Sequence, residues 1–357
     1  MAVSALAAAT VAACGGPRKG GRGTDAGSQG DAGPPDAGPS CAAGPCFLAT
    51  ALNHPWALAT DGAYLYFTEF GDGTGATNGS VKRCAIADDC AAGPTVLASG
   101  LSNPQHVVVD ANNVYFADLG TDTVGAAISS CALTGCGTRP TSLSSAGSPA
   151  CIASDGTYIY WVDGQDDSVN RVPLAGGPRS VVYNGMSLVF AEPQDCRVDA
   201  SNVYVSDANE DVFRVQLAGG EPTKIAAGSG VTGFAPLALG AADLFLGRSG
   251  SLVRVPFGQT GGATLATGIP SPSWLAFDDT TATLYWSNRG SGSAGDGSLG
   301  KVVVGGAGQT NLATGLTTPQ SLVVTGSAVY WLSYGTLAGN NGTDTMPRTG
   351  ALGRVPL

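Results

Sequence analysis

The sequence predicts an all-β fold, a seven-bladed β-propeller built from four-stranded blades. Two observations lead to this prediction: a unit with four short strand patterns occurs seven times, and the two chain ends supply complementary parts of one blade. Each repeat opens with a proline and a short apolar run, and successive openings lie about 45 residues apart. The opening prolines are Pro55, Pro104, Pro149, Pro193, Pro236, Pro272 and Pro319.

The third repeat shows the four expected strands most clearly. Its apolar opening is followed by the segments YIYWVD, SVNRVPL and RSVVY, with turns such as Asp-Gly and Ala-Gly-Gly between them. Val, Ile, Tyr and Trp favour strands, whereas Gly and Asp favour the tight turns that join antiparallel strands. No segment has a helical period of apolar residues over more than a few positions. A β-sandwich, the alternative all-β fold, would not need seven copies of one four-strand unit.

The two chain ends predict how the ring closes. The last residues, GRVPL, match the third strand of a blade, so the seventh repeat lacks a fourth strand. The segment CFLATALNHP, which begins at Cys46, is similar to the segments TVLASGLSNP and TNLATGLTTP that lead into the second and seventh repeats. We therefore expect the N-terminal strand to complete the last blade, which removes the two open sheet edges of a linear array.

The N-terminal residues predict export and a lipid anchor. Residues 1–14 contain an apolar segment too short to span a bilayer, and its end, VAAC, resembles the bacterial lipobox. This resemblance implies that Cys14 carries the lipid and that the protein is a bacterial lipoprotein of the outer membrane or cell surface. The segment has no Lys or Arg, so a plain secretory signal and an unspecific Ala-rich start are alternatives. Residues 15–40 are expected to be a flexible linker to a propeller at residues 41–357.

Cysteine spacing predicts three disulfides and leaves a fourth open. Three pairs bracket the turn between strands three and four, where a hairpin brings two cysteines within bridging distance. These pairs are Cys41 with Cys46, Cys84 with Cys90, and Cys131 with Cys136. Cys151 and Cys196 lie on the first strands of neighbouring blades. Cys151 is the second residue after its opening proline and Cys196 is the third, so strand alternation predicts that their side chains face opposite ways. Two histidines and no zinc-like arrangement of the pairs argue against a metal site.

The composition restricts the partners and cofactors. The net charge of −10 argues against nucleic acid and anionic lipid, so we expect membrane contact only through the N-terminal lipid. The Gly-rich segments do not lie between a strand and a helix, which excludes a nucleotide-binding loop. No cofactor is expected.

A recurrent aromatic motif marks the second strand of the repeats. Its copies read YFTE, YFAD, YWVD, YVSD, YWSN and YWLS and begin at Tyr66, Tyr115, Tyr160, Tyr204, Tyr285 and Tyr330. The motif resembles the repeats of YWTD and NHL-type propellers over the whole predicted ring. This resemblance implies the fold and, since most such proteins bind ligands or other proteins, a binding role. The architecture also resembles that of the seven-bladed streptogramin lyases, which use a His, a Glu and a divalent ion.

The acids of this motif have two interpretations. Glu69, Asp118, Asp163 and Asp207 would either form a ring of carboxylates that binds Ca²⁺ or accept hydrogen bonds from backbone N–H groups of their own turns. Because they recur at equivalent positions of different blades, the structural role is favoured.

The residues that follow each opening proline include the candidate ligand-binding positions. Because side chains alternate along a strand, we expect the second residue after the proline to face the central channel and the third to face the core between blades. The candidates at the channel mouth are Trp56, Gln105, His106, Gln194, Asp195, Trp274 and Gln320. His106 is also a candidate general base, although Asp195 lies two blades away; a water-filled polar channel is the alternative.

The loops between strands two and three are long in repeats one, six and seven, which become neighbours when the ring closes. We expect these loops to form one ligand-binding sector, and length drift in Gly-rich loops is the alternative. The sequence thus favours an exported, lipid-anchored, non-catalytic module that binds or scaffolds a protein, peptide or glycan. The alternatives are a lyase or hydrolase at the channel mouth and a purely structural envelope protein.

Overall fold

The computed structural model describes residues 12–13, 44–71, 77–121, 125–185, 189–291, 295–306, 308–335 and 349–357. In these ranges the strands form seven sheets, six of them antiparallel and four-stranded; the seventh has four antiparallel strands and a short parallel fifth strand at its edge. The first strand of each sheet contacts the first strand of the next, and that of the last sheet contacts that of the first. The predicted all-β, seven-bladed propeller is therefore confirmed. In the described part of the chain, no helix has the length and apolar character to cross a bilayer.

The strands follow the repeats closely. The N-terminal strands are β1 (Ala12–Ala13) and β2 (Cys46–Leu52). Blades one to three comprise β3 (Pro55–Thr60), β4 (Tyr64–Glu69), β5 (Gly79–Ala85) and β6 (Thr95–Leu101); β7 (Pro104–Val109), β8 (Asn113–Asp118), β9 (Ala127–Ala132) and β10 (Thr141–Ser145); and β11 (Pro149–Ser154), β12 (Tyr158–Asp163), β13 (Ser168–Pro173) and β14 (Ser180–Tyr183). Blades four to six comprise β15 (Pro193–Val198), β16 (Asn202–Asp207), β17 (Val212–Gln216) and β18 (Thr223–Ala226); β19 (Leu237–Leu239), β20 (Asp243–Arg248), β21 (Gly250–Pro256) and β22 (Ala263–Ile269); and β23 (Pro272–Asp278), β24 (Thr283–Asn288), β25 (Gly297–Val303) and β26 (Gln309–Leu316). Blade seven contains β27 (Pro319–Val324), β28 (Ala328–Ser333) and β29 (Gly350–Pro356).

The seventh blade is built from both ends of the chain. Its strand order places β2 beside β29, and the two strands pair antiparallel with Cys46 opposite Arg354 and Leu52 opposite Gly350. The short strand β1 pairs in parallel with the other edge of β2. Because β2 pairs with β29 on the side away from the inner strand β27, blade seven has four strands and the outer edge of β29 is not left unpaired.

One aspartate shapes the turn between the first two strands in blades one to four. Its carboxylate accepts backbone N–H bonds across the turn and a bond from the hydroxyl of the tyrosine five residues later. The Asp–Tyr pairs are Asp61–Tyr66, Asp110–Tyr115, Asp155–Tyr160 and Asp199–Tyr204, each with an O···O distance of 2.8 Å. Each pair lets a tyrosine ring enter the core while its hydroxyl stays hydrogen-bonded, which explains the regular tyrosine of the motif.

The described residues contain three disulfides, Cys84–Cys90, Cys131–Cys136 and Cys151–Cys196. Cys46 is disulfide-bonded as well, and its expected partner Cys41 lies outside the described residues. These bonds fit an oxidising compartment outside the cytosol.

The disulfide between Cys151 and Cys196 forms although strand alternation predicted that the two side chains face opposite ways. Their Cα atoms lie 5.7 Å apart although the two residues occupy positions of opposite parity. The sheets of a propeller stand radially, so successive side chains of an inner strand point to the two neighbouring blades rather than to channel and core. Two cysteines that face opposite ways on adjacent blades therefore meet between them.

Candidate functional site

A repeated backbone contact holds one set of residues at one mouth of the channel. In six blades, within the described ranges, the residue after the second strand donates its N–H to the carbonyl of the residue before the opening proline. The donors are Phe70, Leu119, Gly164, Ala208, Arg289 and Tyr334. Each donor therefore lies beside the start of its blade's inner strand, where the chain enters the blade.

The side chains at this position differ in size around the ring. Blades six, seven and one carry Arg289, Tyr334 and Phe70, whereas blades two to five carry Leu119, Gly164, Ala208 and Ser249. The large side chains thus lie in the sector that the loop lengths single out. The middle parts of the three long loops, 72–76, 292–294 and 336–348, lie outside the described residues.

A cavity of about 220 Å³ lies in this sector. Its lining combines two aromatic rings, one cation and two polar side chains: Trp56, Tyr334, Arg289, Thr318 and Gln320. We refer to this cavity as the mouth pocket. A few polar groups set in a concave, partly aromatic lining are typical of ligand sites.

Arg289 is the charged group of the mouth pocket. Its Nη2 donates a hydrogen bond of 2.7 Å to Oε1 of Gln320, a neutral partner. None of the ion pairs found among the described residues includes Arg289. Burial lowers the pKa of the guanidinium, while nearby Tyr334 acts in the opposite direction. An arginine remains protonated at neutral pH, so the pocket carries a positive charge that no carboxylate of the described chain neutralises.

Two aromatic side chains form the walls of the mouth pocket. The rings of Trp56 and Tyr334 meet edge to face, with centroids 5.8 Å apart and an interplanar angle of 81°. Phe70 packs against Trp56 at 6.0 Å, and His54 packs against Tyr334 at 5.0 Å. The hydroxyl of Thr318 donates to the carbonyl of Gly335 and so fixes the backbone next to Tyr334. The walls are therefore held before any ligand arrives.

The residues predicted at the channel mouth lie in different places. Trp56 and Gln320 lie in it together, whereas Gln105 and Gln194 occupy the equivalent position in blades two and four. Arg289 and Tyr334 also line the pocket but were not among the residues predicted from the sequence. Both directly follow a copy of the aromatic motif, so comparing the residue after the motif across blades would have found them.

A second cavity, of about 360 Å³, occupies the channel among the inner strands of blades two to six. His106, Arg197 and Trp274 border it. Arg197 pairs with Asp195 of its own strand and lies over the Trp274 ring, 5.5 Å from the centroid, so it bridges from blade four to blade six.

The expectation that the second residue after the proline faces the channel is wrong for several blades. Asp195 accepts the backbone N–H of Leu237 in the next blade at 2.8 Å, and Ser321 accepts that of Leu58 at 3.1 Å. As for Cys151, the side chain at this position points to the following blade, because the sheet stands radially. Asp195 is thus a buried contact between blades, already bonded on both oxygens.

His106 is buried and uncharged at neutral pH. Burial lowers its pKa to about 4, against a smaller raising effect from Asp195, and the ring bonds to the backbone of Ala150. No hydrogen bond joins His106 to Asp195 among the contacts of the described residues. A base with so low a pKa accepts protons weakly at pH 7, so the geometry supports a structural imidazole better than a general base.

The low pKa of His106 predicts a loss of stability in mild acid. The folded-state pKa of about 4 lies below the ordinary value of 6.5. As the pH falls below 6.5, His106 is protonated in the unfolded chain before it is protonated in the folded protein. The free energy of unfolding therefore decreases from about pH 6.5 to about pH 4. At pH 5 this corresponds to about 2 kcal/mol. Urea unfolding of wild type and His106→Gln at pH 7 and 5 measures it: the variant should lose less stability, and equal losses would contradict the burial argument.

The acids of the aromatic motif bind backbone groups. Asp163 accepts the N–H groups of Gly147, Ser148 and Gln165 at 2.7 to 3.1 Å. Asp118 and Asp207 make the same kind of contact. Among the described residues no group of three His, Cys, Asp or Glu side chains is arranged to hold a metal ion. These contacts favour a structural role over the Ca²⁺ ring. They reach the segments that lead into the blades as well as the acids' own turns; Glu69 accepts the N–H of Asn53 in such a segment and pairs with Lys82.

Comparison with known proteins adds the fold. No protein-family model matches the chain, and no curated protein matches it in sequence. Among solved structures, the WD40 propeller domain of Doa1 is similar with a TM-score of 0.62 and 13% identity, covering 87% of this chain and 96% of that one. The computationally designed Ika8 protein is similar with a TM-score of 0.53 and 13% identity, covering 80% of this chain and 83% of that one. A chain of a nidogen/laminin complex has a TM-score of 0.44 and 18% identity, covering 72% of this chain and 82% of that one. The chain is a β-propeller. At 13% identity, the similarity to the Doa1 and Ika8 structures shows the fold alone.

Proposed function

We propose that this protein is an exported, lipid-anchored, non-catalytic propeller that binds a protein, peptide or glycan at the channel mouth of blades six, seven and one. The observation that carries the proposal is the mouth pocket, where the charged Arg289 lies between the rings of Trp56 and Tyr334 without a carboxylate partner in the described chain. Propellers of similar architecture serve many roles, so the fold does not indicate a function and the residues of this site do.

The chemistry of the pocket favours binding over turnover. Its lining supplies an arginine, a threonine, a glutamine and two aromatic rings, which position and desolvate a ligand. The alternative of a lyase or hydrolase at the channel mouth depends on His106, and the pKa of about 4 speaks against that role. A purely structural envelope role would leave the clustering of Arg289, Tyr334 and Trp56 in one sector without a purpose.

The disulfides support the cellular part of the proposal. Three bonds among the described residues fit an oxidising envelope or extracellular compartment. A lipid on Cys14, which lies outside the described residues, would tether the ring to the outer membrane or cell surface. The Cys14→Ala variant is therefore expected to leave the membrane fraction. If it stays there, Cys14 does not carry the anchor.

The test is binding to glycan and peptide arrays, followed by affinity measurement of the best ligand with two matched variants. Trp56→Ala removes one wall of the mouth pocket, and Gln194→Ala changes the equivalent mouth position of blade four. A central aromatic contact contributes 2 kcal/mol or more to binding, so Trp56→Ala is expected to weaken the ligand by about thirtyfold. Gln194→Ala should stay within about twofold of wild type.

Two results would contradict the proposal. One is the absence of any array ligand for a protein whose thermal unfolding is intact. The other is a ligand whose affinity falls equally in both variants, which would move the site away from blades six, seven and one.

A further inference from the structure

We infer that the mouth pocket binds a single uronic acid residue of a glycan, with its carboxylate on Arg289 and its ring against the aromatic walls. This inference deepens the proposed function and rests on it. It names the chemical class of the ligand and the atom that recognises it.

The carboxylate is inferred from the state of Arg289. Its guanidinium is partly buried, and the partner found for it is the amide oxygen of Gln320. A guanidinium that is removed from water and bonded to a neutral group keeps most of its capacity to bind an anion. Carboxylates fit this group well, because two oxygens can accept two parallel N–H bonds.

The ring is inferred from the shape of the walls. Trp56 and Tyr334 stand at 81° to each other and enclose a volume of about 220 Å³ together with polar side chains. Such a lining suits one ring-sized unit that has both apolar C–H faces and hydroxyl groups. A sugar ring has both, whereas an aspartate or glutamate side chain offers neither a face for the walls nor further hydroxyls for Thr318 and Gln320.

The terminal carboxylate of a peptide fits less well. Such carboxylates are commonly captured by free backbone N–H groups. Here the N–H groups of Arg289 and Tyr334 are already bonded to the carbonyls of Ser271 and Thr318. Recognition in the mouth pocket therefore depends on side chains, which favours the sugar acid.

The charge of the whole chain limits the ligand to one acidic unit at the site. The net charge is −10, so a polyanionic glycan would be repelled over most of the surface. An isolated uronic acid in an otherwise neutral glycan gains the contact with Arg289 without that repulsion.

The experiment compares four small probes on the full-length protein by ligand-observed NMR titration. The probes are methyl β-D-glucuronoside, its methyl ester, methyl β-D-glucoside, and acetyl-Gly-Ala with a free carboxylate. The glucuronoside should bind, and the ester and the glucoside should bind at least about tenfold more weakly, as the loss of a charge-assisted hydrogen bond requires. Preference for the peptide, or equal binding of the ester, would overturn the inference.

Matched variants tie the effect to one side chain. Arg289→Gln should lose roughly tenfold to a hundredfold in glucuronoside affinity, because the charge is removed while the hydrogen-bonding capacity remains. Arg171→Gln is the control, since Arg171 lies against Tyr158 on the outer part of blade three, far along the chain from the mouth pocket. Near-UV circular dichroism reports whether the aromatic walls are intact in each variant.

The inference and the proposed function fail in different ways. If array ligands bind through Trp56 but are neutral and insensitive to Arg289→Gln, the sugar-acid inference fails and the binding function stands. If neither array ligands nor the four probes bind, both fail.

Discussion

Replacing both Cys151 and Cys196 by alanine is expected to lower the free energy of unfolding by about 4 kcal/mol. This disulfide closes a loop of 45 residues between the inner strands of two blades, and closing a long loop removes much conformational entropy from the unfolded chain. Both cysteines are fully buried. Guanidinium chloride unfolding, followed by tryptophan fluorescence, measures the change.

The matched control is the pair Cys84 and Cys90, which is also buried but lies only six residues apart. The same double replacement there should cost about 2 kcal/mol, since a short loop restricts the unfolded chain less. Equal losses at the two sites would mean that loop closure does not govern the stabilisation.

Replacing Gly353 by alanine is expected to destabilise the fold by about 3 kcal/mol, as overpacking of a buried core does. Gly353 lies opposite Trp331 in blade seven. A Cβ atom there would come within 2.2 Å of the indole ring of Trp331, which is fully buried and cannot move aside. Chemical unfolding measures the loss, and Gly326→Ala, in a turn with nothing within 4 Å of the added atom, is the control.

A second variant separates the clash from other causes. In a Trp331→Leu background the indole is gone, so adding Gly353→Ala should cost much less than it does in the wild type. An undiminished cost would show that the alanine acts through the backbone of β29 and not through the tryptophan.

Much of the fold could be predicted from the sequence because it is local and repeated. In blade three the strands from Tyr158 to Asp163 and from Ser168 to Pro173 match the expected segments, since turn residues and β-branched residues specify them within a few positions. The short disulfides Cys84–Cys90 and Cys131–Cys136 follow from hairpin geometry alone.

Strand alternation alone could not predict the disulfide between Cys151 and Cys196. It also could not predict the contacts of Asp195. Alternation states that two neighbouring residues face opposite ways, but it does not state what lies on either side. In a radial sheet both sides are other blades. This explains why a cysteine pair of opposite parity is bonded and why Asp195 holds the next blade.

Patterns along the chain were enough to predict the number of blades, the turns and which repeats carry long loops, because each depends on residues close together in the chain. By contrast, a single pocket is lined by Arg289 from blade six, Gln320 and Tyr334 from blade seven, and Trp56 from blade one, which is a result of the three-dimensional fold. These residues are far apart in sequence, and only closure of the ring brings blade one beside blade seven. The charge of Arg289 therefore acquires its aromatic surroundings through an arrangement that no local pattern encodes.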